Sequence, residues 1–231
     1  MLQKRSEPIT TKGFYYFLSA QFLSALADNA LLFAAIALLS NMQSPEWHQP
    51  LLLQFFVLAY IILAPFVGAF ADSRPKGQVM FISNGIKLFG CLAMLVGMQP
   101  LYAYAIVGIG AAAYSPAKYG ILTELLPEKS LVPANAWVEA LTVTAIILGA
   151  IIGGIAGSYD VNLAILLISI LYILAAIFNR YIPTLPIIHK IKHTNPWLLV
   201  KDFFSSYGRL WRDPLGQLSL AITCLLYTSP S

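Results

Sequence analysis

Four ionisable side chains stand inside runs of apolar residues, and they are the groups with which this chain can do chemistry. Asp28 is the only charge in the apolar run Phe14–Ser40, near its midpoint, with Asn29 directly after it. Lys87 lies nine residues past Gln78 within another such run, about 13 Å along a helix at 1.5 Å per residue. Asn84, three residues earlier, shares its helical face. Lys118 follows Tyr114 in the segment Ala111–Gly120, and Glu139 lies in the run Ala134–Ser158. A charge in the core of a bilayer costs several kcal/mol unless it is paired or wet, so each marks a functional position by default. Lys118 and Glu139 are expected at similar depth on consecutive helices, where they can pair; a Lys118 that snorkels to the interface is the plainer alternative. The signs define a device. Asp28 and Glu139 can receive a cation or a substrate amine, and Lys87 and Lys118 a phosphate or carboxylate, so a zwitterion suits them together. A network that only holds helices together uses the same residues.

The elements that must position these groups are membrane helices. Of 231 residues, 58% are hydrophobic and only 10% charged, against about 25% charged in soluble domains. A chain this apolar (mean hydropathy +0.74) cannot cover a water-facing surface with polar groups. Six segments reach the roughly 20 apolar residues a spanning helix needs: Phe14–Ser40, Leu51–Ala71, Gln78–Met98, Leu101–Thr123, Ala134–Ser158 and Val161–Asn179. Gln99 and Pro100 alone separate the third from the fourth and are expected to form a tight hairpin. Of the 14 Lys and Arg residues, only Lys87 falls mid-span; the other 13 fall on the side shared with the N-terminus, counting Lys118 there, and the outer connections carry none. The excess of cations on one side orients the chain with its N-terminus in the cytoplasm. It also accounts for the net charge of +4 without nucleic acid.

The resulting organisation is a cytoplasmic tail (1–13), a six-helix bundle (14–179), a cytoplasmic central loop (180–214) and the truncated start of a seventh helix (215–231). The basic tail precedes a run too long for a signal-peptide core and reads as uncleaved. The closing residues Tyr227–Ser231 do not continue a membrane-helix pattern. Within the central loop, Trp197, Val200, Phe204, Tyr207 and Trp211 recur at helical spacing, accompanied by Lys201, Arg209 and Arg212. This is an amphipathic helix suited to the inner interface, or a connecting helix between two halves. Gly108 and Gly110 in the fourth span, and Gly149, Gly153, Gly154 and Gly157 in the fifth, open those helices to close packing. Pro65 and Pro116 can kink theirs.

Enzyme chemistry has no footing. His48, His189 and His193 lie outside the spans without metal-ligand spacing, Cys91 and Cys224 sit in apolar runs, and no Walker A, GxSxG or dinucleotide fingerprint stands in the right context. No cofactor and no metal are implied.

The connection Gly68-Ala69-Phe70-Ala71-Asp72-Ser73-Arg74-Pro75-Lys76-Gly77 resembles the cytoplasmic signature of the major facilitator superfamily. Gly68 is expected to let helices approach, Asp72 to accept from a helix N-terminus, and Arg74 and Lys76 to stay inside. Ser73 replaces the usual basic residue, and Gly77 comes two places late. The stretches Ala20–Leu32, Ala64–Gly77 and Val107–Leu122 resemble, more closely, the bacterial lysophospholipid transporters within that superfamily, and the similarity extends to about Leu220. The resemblance implies an all-α protein of twelve membrane helices in two halves, of which this chain is the N-terminal one. It implies movement of lysophospholipid, chiefly of the ethanolamine type, to the inner leaflet of a bacterial inner membrane, where a partner acyltransferase–synthetase re-acylates it. The substrate-binding or gating residues expected on these grounds are Asp28 and Lys118 first, then Glu139 and Lys87, with Asn29 and Tyr114 beside them. The rival readings are another solute or drug transporter of the superfamily and a membrane scaffold that docks the acyltransferase.

Overall fold

The computed structural model describes residues 10–184, 196–218 and 221; Cys224, His189, His193 and the closing residues lie outside these. Six long helices form the first compact unit: α1 (Thr10–Asn41), α2 (His48–Asp72), α3 (Lys76–Leu95), α4 (Pro100–Leu125), α5 (Leu131–Tyr159) and α6 (Val161–Arg180). α7 (Pro196–Leu210) belongs to a separate unit beginning at Ile191.

Local chemistry sets the boundaries. α3 stops at Leu95, earlier than the apolar run, because Gly97 takes φ +92°, a left-handed conformation that costs glycine little and ends helices. The turn is therefore Val96–Gln99, and Pro100 opens α4 instead of lying in the hairpin; its missing N–H is no loss at a first helical position. Asp160 caps α6 by accepting from the backbone N–H groups of Asn162 (2.9 Å) and Leu163 (3.1 Å). α2 and α4 continue through Pro65 and Pro116.

Packing follows small residues. α1 lies against α5 and α6, α3 against α4 and α6, and α2 against α4. Along α5, Gly149, Gly153 and Gly157 face Leu26–Ala37 of α1, and a side chain at Gly153 would overlap the backbone of Ala30. Gly108 lets α4 approach Phe56 of α2, and Gly110 lets it approach Ser83 and Lys87 of α3. Gly68 has open space around it, so it does not bring helices of this chain together; Gly77 does that, against Asn179 and Ile182. Apolar side chains cover the outside, with Val57 at 51% and Ile61 at 66% exposure on α2 and Ile147 at 55% on α5. Such a surface is stable in lipid and not in water.

Five of the six helices are long and apolar enough to cross a membrane. The exception is α4, which is long enough at 26 residues but falls short in hydropathy, with Lys118, Glu124 and four tyrosines along it. Most of its side chains are buried against its neighbours, so it has little lipid-facing surface to make apolar. The chain is thus an all-helical, multi-pass membrane protein.

Candidate functional site

Asp28 and Lys87 meet at the centre of the bundle. The Asp28 carboxylate receives the Lys87 ammonium at 2.7 Å and the Tyr172 hydroxyl at 2.8 Å. The ammonium also donates to Ser24 Oγ at 3.0 Å, and Ser24 donates in turn to Asn84 Oδ1 at 2.8 Å. The Tyr114 ring lies 4.8 Å from the same nitrogen, within cation–π range. Lys87 is 1% exposed, and its ammonium meets two oxygens and a π face, the partners a buried charge needs. Asp28 retains 21% side-chain exposure, and what it is exposed to is a cavity.

That cavity is about 280 Å³. Asp28 and Asn29 of α1, Lys87 of α3, and Tyr114 and Lys118 of α4 line it, so five of the six residues expected from sequence converge on one space. Asn29 spends its amide on the Ala25 carbonyl of its own helix, at 2.8 Å. Lys118 donates to Thr142 Oγ1 at 3.5 Å, and Gln21 donates to the same oxygen at 3.3 Å. Its ammonium also lies 5.0 Å from the Tyr119 ring. The rest of the lining includes apolar and aromatic side chains: Leu32, Leu53, Phe56, Tyr60 and Ile146. Spacing put polar and apolar surfaces on these helices; the small residues of α1, α4 and α5 bring them within reach of one guest.

Glu139 does not line this cavity. It is exposed, and Lys118 forms no ion pair among the described residues. The buried stripe of α5 runs through Val138, Ala145 and Gly149, and the side chain it offers Lys118 is Thr142. Asp28, for its part, takes Lys87 as its partner and not Lys118. Ser24, Thr142 and Tyr172 carry bonds that the sequence did not single out. Ser24 lies one turn from Asp28 and was recoverable from that spacing, whereas Tyr172 is one aromatic in an apolar span.

In the α2–α3 connection, Asp72 pairs with Lys76 at 2.5 Å and Lys76 also donates to the Ala71 carbonyl at 3.0 Å. Asp72 thus engages the side chain of the α3 N-terminus, not the backbone N–H groups expected there. Arg74 is exposed. No group of His, Cys, Asp and Glu able to hold a metal occurs among the described residues.

The bundle is all-helical, and α1, α3 and α4 place charged and aromatic side chains around one cavity. The chain belongs to the Major Facilitator Superfamily, whose description it matches over residues 17–230. Among curated proteins, "Lysophospholipid transporter LplT" of Serratia proteamaculans (strain 568) is 45% identical over 220 residues, which is 95% of this chain and 55% of that protein. The protein of the same name from Yersinia enterocolitica is 44% identical over 96% of this chain and 55% of its own length. That from Yersinia pestis (strain Pestoides F) is 43% identical over 96% and 54%. The chain spans about half the length of the curated relatives it matches.

Proposed function

We propose that this chain is one half of a secondary transporter that moves lysophospholipid, of the lysophosphatidylethanolamine type, across the inner membrane to the inner leaflet for re-acylation. The observation that carries the reading is the composition of the cavity. Lys118 brings a cation that forms no ion pair among the described residues, Asp28 a partly exposed carboxylate, and Phe56, Tyr60, Leu53 and Ile146 an apolar lining. A phosphate beside Lys118, an ammonium beside Asp28 and a single acyl chain along the aromatics use all three surfaces. At about 280 Å³ the space is at the lower end of small-ligand sites, which run from about 300 Å³. It suits a headgroup and the first part of one chain. The names of the relatives favour the same substrate over a drug or a sugar.

In this reading Lys87 is a structural counter-ion that holds Asp28 in place. Substrate ammonium competes with it for the carboxylate, which links loading of the cavity to the contact between α1 and α3. The N-terminus lies in the cytoplasm, as the placement of Lys and Arg supports. An acyltransferase–acyl-carrier synthetase takes the delivered lipid on that side, so a scaffold role and transport are separable by flux.

The test uses the full-length protein. Labelled lysophosphatidylethanolamine is loaded into the outer leaflet of spheroplasts lacking their own transporter, and its re-acylation is followed with wild type, Asp28→Asn and Lys118→Ala at matched expression. Wild type supports uptake, and both variants lose it by on the order of tenfold or more, as expected when a hydrogen-bonded charge contact is removed (about 1.5–3 kcal/mol). Absent uptake by well-expressed wild type overturns the lipid assignment. Uptake unchanged in the variants removes these residues from the pathway.

A further inference from the structure

α7 and the turn that follows it carry a second membrane-directed surface. Projected at 100° per residue, Leu199, Leu210, Phe203, Tyr207, Val200, Trp211, Phe204 and Trp197 fall in sequence around one arc of about 160°. No charge interrupts that arc. Lys201, Arg209 and Arg212 lie on the complementary arc with Ser205, Ser206 and Asp202. Trp211 and Arg212 continue the helical turn through bonds from their N–H groups to the carbonyls of Tyr207 (3.1 Å) and Arg209 (3.0 Å). Three of the aromatic groups are exposed, Phe204 at 63%, Trp211 at 53% and Tyr207 at 50%. Exposed Trp, Phe and Tyr in this density are costly in water, and a protein surface of this kind needs an occupant.

The chemistry names one. Three cations, Lys201, Arg209 and Arg212, against two acids, Asp202 and Asp213, border the apolar arc, and a tryptophan stands near each end of the helix, the residue that settles best where hydrocarbon meets headgroups. The 15 residues 181–195 tether α7 to the end of the membrane helix α6. We infer that α7 is an anionic-lipid-binding helix, lying in the headgroup layer with Val200, Phe204, Tyr207 and Trp211 in the acyl boundary and Lys201, Arg209 and Arg212 on phosphates. Neither the transport cavity nor its substrate enters this inference. It gives the protein a contact with bilayer charge that is separate from the lipid it carries.

The experiment is spin-label accessibility on the full-length protein in lipid nanodiscs, with Cys91, Cys224 and any further native cysteine replaced by Ala. Labels go singly at Val200, Phe204 and Tyr207, and at Lys201, Ser205 and Arg209. The first set meets oxygen more than a nickel chelate, the second the reverse. The contrast is larger in discs containing phosphatidylglycerol than in discs of phosphatidylethanolamine alone, and high salt reduces it. Reversing each cation (Lys201→Glu, Arg209→Glu, Arg212→Glu) lowers partitioning by on the order of fivefold per residue. Apolar-arc labels shielded from both reagents mean that protein covers this face, and overturn the inference. So do labels on both arcs open to nickel, and so does a contrast that is the same in the two lipid compositions.

Discussion

At the scale of single residues, the ion pair of Asp28 and Lys87 illustrates why buried charges come in pairs. Removing one partner strands the other in a low-dielectric site, at about 3–5 kcal/mol, while removing both together is often neutral. The two ends of this pair are not equivalent: Lys87 is 1% exposed, whereas Asp28 keeps 21% side-chain exposure toward the cavity. Asp28→Asn, which leaves the buried ammonium unpaired, is therefore expected to lower stability by about 3 kcal/mol or more. Lys87→Met leaves a carboxylate that the cavity and the Tyr172 hydroxyl still solvate, so it costs less. The double variant Asp28→Asn/Lys87→Met recovers most of the loss. Unfolding of the purified protein in detergent gives all four corners of this cycle. Additive losses with no recovery mean that the two groups are not coupled in the folded protein, and remove the pair from the account of the site.

At the scale of helices, sequence resolved more than geometry did. Apolar run length located α1 through α6 because the thickness of a bilayer leaves few other solutions. Small residues at four-residue spacing identified the α5 face that packs, and Gly149, Gly153 and Gly157 do meet α1. The rotation of α5 was not legible. Glu139 and Thr142 are three residues apart, and only the packing of Val138 decides which of them turns toward Lys118. Gly68 meets no neighbour among the described residues: a motif names a glycine, and the backbone packed against it decides whether it is needed. The difference can be measured. Gly153→Ala places a methyl group into the Ala30 backbone, where no flexible side chain can yield, and is expected to cost at least about 2 kcal/mol, in the range of overpacked cores. Gly85→Ala, on an exposed face of α3 with open space around it, stays neutral or gains up to about 1 kcal/mol from helix propensity. Equal effects at the two positions would remove close α1–α5 contact as a source of stability.

At the scale of the molecule, α4 decides the topology. It brings both Tyr114 and Lys118 to the cavity, yet it falls short of the hydropathy at which the other five helices qualify as spans. Hydropathy measures what a helix must show to lipid, and α4 shows lipid little, since α2 and α3 cover most of its surface. Its 26 residues extend about 39 Å, more than the roughly 30 Å of hydrocarbon, so its length permits a full crossing. Two exposed positions flank it: Val96 in the turn before it and Lys129 in the connection after it. If α4 crosses, these lie on opposite faces of the membrane, and Glu46, two crossings before Val96, shares its side. In the full-length protein without native cysteines, Glu46→Cys and Val96→Cys are expected to react with a membrane-impermeant thiol reagent added to intact spheroplasts. Lys129→Cys reacts only after the membrane is opened. Labelling of Lys129→Cys from outside together with Val96→Cys would mean that α4 returns to the face it started from. The cation asymmetry would then no longer orient the chain, and Lys118 would need a different route to the substrate. Protection of Lys129→Cys shows that α4 crosses and puts the connection after it on the inner side. That is the side on which α7 would meet anionic lipid and on which re-acylation would consume what the cavity delivers.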